Sequence, residues 1–470
     1  NAFIWLPIIG AILIAYTPLE AKKVRGLALT LAVVLLLLNI LLGWQFDPSN
    51  PQMQFTVNLP WINFLGFNYA LGVDGLSFSL LFLNRFYYSL LLLLNAGVAG
   101  AFLAQDLLLF FLFYELEIVP LYFLIAIWGG QRRGYAGMKF LLYTAISGFL
   151  VLISFLGLVW LTGADNFAYN PLLSNNLDVK TQLLLLIPLL IGLAIKIPIF
   201  PFHTWLPDAH VEASTPVSVL LAGILLKLGT YGLLRFGVGL FLDAWVTLAP
   251  WLATIAAISA LYGASCAIAQ KDMKKVVAYS SISHMAYILL AAAATTRLSI
   301  TAAILQMISH GLISALLFLL VGVVYKKTGS RDVDYLRGLL NPERGLPITG
   351  MLMILAAMAS AGIPGMVGFI AEFLVFRGSF PIFPIQTLLC LVASGLTAVY
   401  FLLMINRVFF GRLTPELSRI PRSTWPERFP EIALALFIIV LGLQPSWMIH
   451  WTENQASMLL TGTAISQRQS

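Results

Sequence analysis

"LAIKIPIFPFHTWLPDAH", residues 193–210, decides how this chain is read. A strongly apolar run carries a lysine, Lys196, and then breaks over Pro198 and Pro201. A charged side chain at the middle of a bilayer costs about 3 kcal/mol on translocon scales and more in simulations, so such residues mark function. Broken backbone at membrane depth is tolerated only where protein or a water-filled cavity satisfies its polar groups. Both features occur within one short stretch.

The surrounding composition makes membrane depth the right frame. Of 470 residues, 60% are hydrophobic and 10% charged, with a mean hydropathy of +0.92. A soluble domain carries about 25% charged residues. Runs such as "LALTLAVVLLLLNILLGW" (27–44) approach the ~20 residues that span hydrocarbon. The chain is therefore an all-α polytopic membrane protein in which lipid is a constant neighbour. A net charge of +7 and a pI near 9.3 would point a soluble protein toward nucleic acid. Here the basic residues sit between apolar spans, so no nucleic-acid partner is expected and charge reports orientation instead. Cys266 and Cys390 lie singly inside apolar runs, and no spacing suits zinc, haem or an iron–sulfur cluster. No cofactor or metal is expected on this chain. The sequence starts at Asn1, so a start further upstream is expected; its first span is too long and uninterrupted for a cleaved signal peptide.

Apolar runs place spans near 2–16, 25–45, 86–104, 107–128, 139–162, 182–200, 216–238, 245–268, 275–294, 298–324, 347–376, 385–410 and 430–449. Basic clusters occur at Lys22, Lys23 and Arg25; at Arg132, Arg133 and Lys139; and at Lys271, Lys274 and Lys275. Two more run from Lys326 to Arg344 and from Arg407 to Arg428. With these spans alone, the first cluster falls opposite the other four. If the segment around 72–84 belongs to one more span, all five share a side. The expectation is about 14 transmembrane helices, with a segment missing where Asn84 meets Arg85.

Loops are short, so function is sought among the few polar groups inside the spans. These are Glu115 and Glu117 in "LLLFFLFYELEIVPLYFLIAIWGG" (107–130), Lys196, Lys227, His284, His310 and Glu372. Gln306 and Ser314 share the helical face of His310. Glu117 alone could simply face a neighbouring helix, and His284 could be a cross-helix hydrogen bond. Arg235 reads as a snorkelling residue near a helix end. Glu115, Lys196, Lys227 and Glu372 together, two acids and two bases, suit mutual pairing and proton transfer. Burial disfavours the charged form of each and pairing restores it. A glutamate moving toward or away from Lys196 would thus switch the lysine between holding and releasing a proton. A three-unit swing amounts to ~4 kcal/mol, comparable with the ~2 kcal/mol per 100 mV needed to move one charge across a membrane. Charged broken helices appear twice, at 182–212 and 347–378, five spans apart and hence opposite in direction. That is the plan of inverted repeats.

"KIPIFPFHTWLPDAHVEASTPVSVLLAGILLKLGTYGLLR" (196–235), "KKVVAYSSISHMAYILL" (274–290), "QMISHGLISALLFLLVG" (306–322) and "GIPGMVGFIAEFLVF" (362–376) closely resemble the antiporter-like subunits of complex I. Within that family the chain is similar to the subunit 4 branch, including that of the photosynthetic NAD(P)H dehydrogenase-like complex. The resemblance implies two inverted five-helix repeats, about 86–238 and 245–410, in one antiporter-like domain. It implies a proton channel in a complex that uses iron–sulfur clusters and quinone elsewhere. Carried over by motif, Glu115 is the partner of Lys196, Lys227 the central lysine, His310 a relay group and Glu372 the exit-side acid. His284 also falls in a family motif. "GVDGLS" (72–77) matches the start of a family helix that continues for about twenty residues absent before Arg85.

The double glutamate of "YELEIVPLYFLIAIWGG" resembles the photosynthetic branch, hence a cyanobacterial thylakoid membrane. "RVFFGRLTPEL" (407–417) resembles the variant tied to CO2 uptake, which implies CO2-hydration partner subunits. The expected partners are otherwise neighbouring antiporter-like subunits and peripheral redox subunits. Two other functions compete: a subunit of an Mrp-type sodium/proton antiporter, and a spacer whose channel no longer conducts.

Overall fold

The computed structural model describes residues 2–16, part of 30–47, and 53–62, 67–73 and 92–461. The expected join at Asn84–Arg85 and the first basic cluster, Lys22, Lys23 and Arg25, lie outside the described residues. The chain opens with α1 (Ala2–Tyr16), β1 (Gln54–Ile62), β2 (Phe67–Val73) and α2 (Leu92–Leu103). Then come α3 (Leu107–Leu116), α4 (Ile118–Trp128), α5 (Arg133–Thr162), α6 (Val179–Lys196) and α7 (Trp205–Glu212). The middle of the molecule is α8 (Thr215–Val238), α9 (Leu242–Ile268), α10 (Met273–Ala294) and α11 (Arg297–Thr328). It closes with α12 (Pro347–Ser360), α13 (Val367–Ser379), α14 (Pro384–Phe409), α15 (Trp425–Leu443) and α16 (Ser446–Thr461).

Among the described residues eight helices are long and apolar enough to cross a membrane, with α3 and α4 forming one of them. Together α15 and α16 are also long and apolar enough for a crossing, but they are bent by 69° at a break that holds Pro445. The span expected at 430–449 therefore stops at Leu443, and a further helix follows that the hydropathy pattern did not resolve.

Two classes of helix result. In α8, α10 and α11 nearly every residue of the apolar stretch is enclosed by other helices. These helices carry polar side chains that lipid would not satisfy, and the surrounding protein encloses them. The outer helices bury about half their surface and turn the rest outward. On α5 the exposed side chains Leu142, Ile146, Phe149, Ile153, Leu156 and Trp160 recur every three or four residues, a lipid-facing stripe. The central trio carries Lys227, His284 and His310, so these residues sit as far from lipid as the fold allows.

Local chemistry explains the irregular places. Pro120 removes one backbone donor and crowds the carbonyl of Leu116, and α3 gives way to α4 at Glu117. After Lys196 the chain leaves the helix through Pro198 and a cis Phe200–Pro201 bond before α7. Between α12 and α13, Gly362 and Gly365 adopt φ of +70° and +91°, a region cheap only for glycine. The basic loops gather on one face. Lys139 reaches Asp208 at 2.8 Å, Lys271 reaches Asp334 at 2.9 Å, and Arg407 reaches the same Asp334 at 3.1 Å. Lys326 and Lys327 both bind Glu427. The four described clusters thus share a side. The α6–α7 span travels toward that face, where Glu212 meets Gly130. The α12–α13 span travels away from it, ending against Thr296 and Ser299. The two broken spans run in opposite directions.

Strands β1 and β2 form an antiparallel hairpin that the sequence reading did not assign. Its signal is a brief period-two alternation through Val57, Leu59 and Trp61. It lies on the face opposite the basic loops, where Gln105 N–H donates to the Ala70 carbonyl at 2.9 Å. Beside it, Asp106 caps α3, accepting from the amides of Leu108 at 2.9 Å and Leu109 at 3.0 Å.

Burial pushes the Asp106 carboxyl up to about 6. An acid whose proton is held more tightly in the folded chain favours the fold at low pH. That contribution is complete below about pH 4 and lost as pH rises through about 6. Thermal stability is expected to step down across this window, by at most roughly 3 kcal/mol. Asp106→Asn keeps a capping oxygen and should flatten the step; a step of unchanged height in melting curves of that variant assigns it elsewhere.

Candidate functional site

Lys196 ends α6 with its side chain inside the protein. Its ammonium pairs with the Glu117 carboxylate and lies 4.5 Å from the centre of the Tyr114 ring. A desolvated cation over an aromatic face gains up to about 2 kcal/mol. Tyr114 is itself fixed: its hydroxyl is 2.9 Å from Ser147 Oγ, which donates to the Gly192 carbonyl at 2.7 Å. Lys196 is thus held between three helices.

The partner expected for Lys196 was Glu115, and the structure corrects this to Glu117. Helical geometry gives the reason. Tyr114 and Glu117, three apart, lie on one face, whereas Glu115 is rotated about a quarter turn from Tyr114. Glu115 turns toward α5 and fills a notch left by Gly148, where a Cβ atom would stand 1.7 Å from its carboxyl oxygen. It stays within electrostatic range of both Lys196 and Glu117.

From Lys196 the polar groups continue into the centre. Gly229 lets α8 approach the end of α6 so closely that a Cβ there would lie 3.2 Å from that of Lys196. Two residues earlier on α8 is Lys227. Just before it the helix winds as a π-helix over Leu221–Leu225, and the Ala222 carbonyl accepts from the Lys227 ammonium. Such local widening frees backbone acceptors and recurs at functional sites. Lys227 Nζ also lies 2.8 Å from His310 Nδ1. The His310 ring stacks on that of His284, with centroids 5.8 Å apart. His284 Nδ1 faces the Ser280 carbonyl at 2.8 Å, and its Nε2 faces Glu372 Oε1 at 3.3 Å and the Ser360 carbonyl at 3.2 Å. The Ser360 hydroxyl lies 3.5 Å from the same Nε2. Glu372 Oε2 accepts from Ser394 at 2.7 Å. A row of touching groups therefore runs from Lys227 to Ser394, with the Glu117–Lys196 pair one helix contact away.

The flanking residues fare differently. Ser314 turns back to the His310 carbonyl at 2.6 Å, and Gln306 is buried beside it. Arg235 does not snorkel outward. It is 3% exposed, held under the Tyr169 and Tyr231 rings at 5.3 and 5.5 Å, because the loop before α6 folds over the end of α8.

This geometry has counterparts. Residues 104–397 match the family model described as NADH:quinone oxidoreductase/Mrp antiporter, TM. The chain belongs to this family. A protein of Synechococcus sp. (strain JA-3-3Ab) named NAD(P)H-quinone oxidoreductase chain 4 1 is 40% identical over 94% of this chain and 89% of its own length. A chain 4 2 from Thermosynechococcus vestitus is 39% identical over 94% of this chain and 87% of its own. Among solved structures, a chain of respiratory complex I from Thermus thermophilus superposes with a TM-score of 0.87 at 27% identity, covering 97% of this chain and 98% of that one. A chain of the Mrp complex from Dietzia sp. reaches 0.86 at 23% identity over 99% and 98%, a likeness of fold. The NADH:quinone oxidoreductase/Mrp antiporter family is thus the frame for a multi-pass membrane protein.

In this family member two buried residues escaped the sequence reading. Lys274 was counted with the basic loop cluster, yet it is 2% exposed. Its ammonium donates to the carbonyls of His210 at 3.2 Å and Ala213 at 2.7 Å, and lies 3.1 Å from Ser218 Oγ. His210, inside the opening stretch itself, stacks on Phe318 at 4.3 Å and sits within electrostatic range of Lys274 and Lys227. The two stand between the basic face and Lys227. The signal was the pattern "KKVV", where one lysine of a pair faces inward and the next outward.

Replacing Lys274 by leucine is expected to slow proton transfer at least tenfold. Lys275→Leu, one residue on and partly exposed, should change it less than twofold. Proton uptake by membrane vesicles carrying each variant separates them, and equal effects would deny Lys274 a place in the path.

Proposed function

We propose that the chain is the proton-translocating membrane-arm subunit of an NAD(P)H- or ferredoxin-driven quinone oxidoreductase and bears no redox centre of its own. The observation that carries the reading is the row of buried polar groups Lys227–His310–His284–Glu372–Ser394, which starts in the three enclosed central helices and ends on α13 and α14. Protons reach Lys227 from the basic face past Lys274 and His210. Lys227 and His310 share one across their 2.8 Å contact, His284 hands it on, and Glu372 delivers it toward the opposite face along α13. The Glu117–Lys196 pair, with Glu115 beside it, sets the field at Lys227: when the pair is intact its charges cancel, and when it opens a bare ammonium repels a proton from the centre. The domain is taken as two inverted repeats, about 86–238 and 245–410, which places Lys196 and Glu372 at related breaks.

The cyanobacterial relatives, by their names, support a place in an NAD(P)H-quinone oxidoreductase, and their source makes a thylakoid membrane its location in this proposal. Iron–sulfur clusters and quinone then belong to other subunits, and the flanking partners are further antiporter-like chains. The resemblance of 407–417 adds CO2-hydrating subunits that would release protons near the inlet. The alternative is a sodium/proton antiporter of the Mrp type, favoured only by likeness of fold. Co-purification separates the two, since iron–sulfur subunits accompany only the first.

Lys196→Ala and Glu372→Gln are expected to abolish coupled proton movement while the complex still assembles. Lys227→Arg should retain part of it, because arginine keeps the charge but does not release its proton. Proton-to-electron ratios measured in vesicles decide the matter, and wild-type ratios in the first two variants would overturn the proposal.

A further inference from the structure

The Glu117–Lys196 pair has one member too many. Two glutamates, two residues apart on one span, stand within electrostatic range of a single lysine. Glu117 is fully buried, and among the described residues no hydrogen-bond donor reaches either of its oxygens apart from the Lys196 ammonium. Glu115 is half-buried, and its Oε1 likewise lacks a donor. The Gly148 notch shows that this carboxyl is accommodated against α5 rather than left outside the bundle. Two carboxylates and one ammonium sum to a charge of −1, and carboxylates that share a poorly solvated site disfavour ionising together, so a proton on one of them relieves the set.

We infer that Glu115, Glu117 and Lys196 hold one additional proton between them, carried on a carboxyl, so that Lys196 stays an ammonium while its two glutamates alternate as the ionised partner. The set is neutral in either form: one carboxylic acid, one carboxylate and one ammonium. Moving from one form to the other, the acid gives its proton to the carboxylate, and the ammonium follows the new negative charge from Glu117 toward Glu115. The set remains neutral throughout, with the proton leaving one carboxyl oxygen and arriving at the other. With one glutamate at this place there would be no second carboxyl on which to hold the proton. The second glutamate therefore changes which group stores the proton. This rests on the proton-path reading above and specifies the chemistry at its Lys196 end.

The test is infrared difference spectroscopy on the assembled complex at rest and neutral pH, comparing wild type with Glu115→Gln, Glu117→Gln and the double variant. Each single variant should lose the same protonated-carboxyl band, since either remaining glutamate then ionises against Lys196. The double variant should lose no more of that band, only an additional carboxylate. Separate bands lost in the two single variants and summing in the double, or carboxylate loss alone, would overturn the inference. Should a glutamine variant fail to assemble, Glu115→Asp and Glu117→Asp take its place: both shift one shared band if the proton is held jointly, and only one does if it is not. The band is read without turnover, so the two readings fail separately. Additive bands with pumping lost in Lys196→Ala sink only the shared proton, and a shared band with pumping intact sinks only the proton path.

Discussion

The structure depends on one constraint: an ammonium in the middle of a helical bundle must have its charge answered by protein. Lys227 meets it with a carbonyl from its own π-wound turn and an imidazole from α11. Lys196 meets it with Glu117 and the Tyr114 ring. Lys274 does so with two carbonyls and a hydroxyl. Each solution fixes two or three helices relative to one another, so the charged groups shape the centre of the molecule as well as lining it. Replacing any one partner leaves a buried charge unanswered, which costs more than the interaction gained.

The same constraint explains why so much was legible in the sequence. Apolar runs long enough to cross hydrocarbon are hard to mistake, and the spans read at 107–128, 245–268, 275–294 and 298–324 correspond to helices with ends a few residues away. Intramembrane charges are rare enough that Glu115, Glu117, Lys196, Lys227, His284, His310 and Glu372 could be picked out singly. What sequence could not supply was azimuth. Glu115 and Glu117 differ by about 200° around a helix, and only the position of Tyr114 relative to α6 decides which of them meets Lys196. Lys274 was misplaced for a related reason. A lysine at the first turn of a helix reads as part of a loop cluster until the neighbouring chain, here His210–Ala213, is seen folded over it. Arg235 was misread in the same way, since the cover of Tyr169 comes from a distant loop. The hairpin at 54–73 was missed because its period-two signal is short and flanked by turn residues.

The helix breaks have a physical purpose beyond bending the chain. Pro198 and Pro201 end α6 directly after Lys196, so the lysine hangs from a helix terminus instead of from a mid-helix position. Gly362 and Gly365 perform the same service before Glu372, whose carboxyl lies near Gly362. Lys196 thus ends a helix, held there by Glu117 and the Tyr114 ring, and Glu372 sits in the second turn after its break, while Lys227, His284 and His310 stay on unbroken central helices.

That division follows from what proton transfer demands at each place. On the proposed path the interior groups would hand a proton across short contacts, and the 2.8 Å between Lys227 and His310 leaves no need for either to travel. In that proposal Lys196 stands beside the path, paired with Glu117, and Glu372 stands at its outlet, each next to a break in spans of opposite direction. The antiparallel arrangement of α6–α7 and α12–α13 thereby sets one helix break beside Lys227 and the other before Glu372, which is what the proposed path requires of the fold.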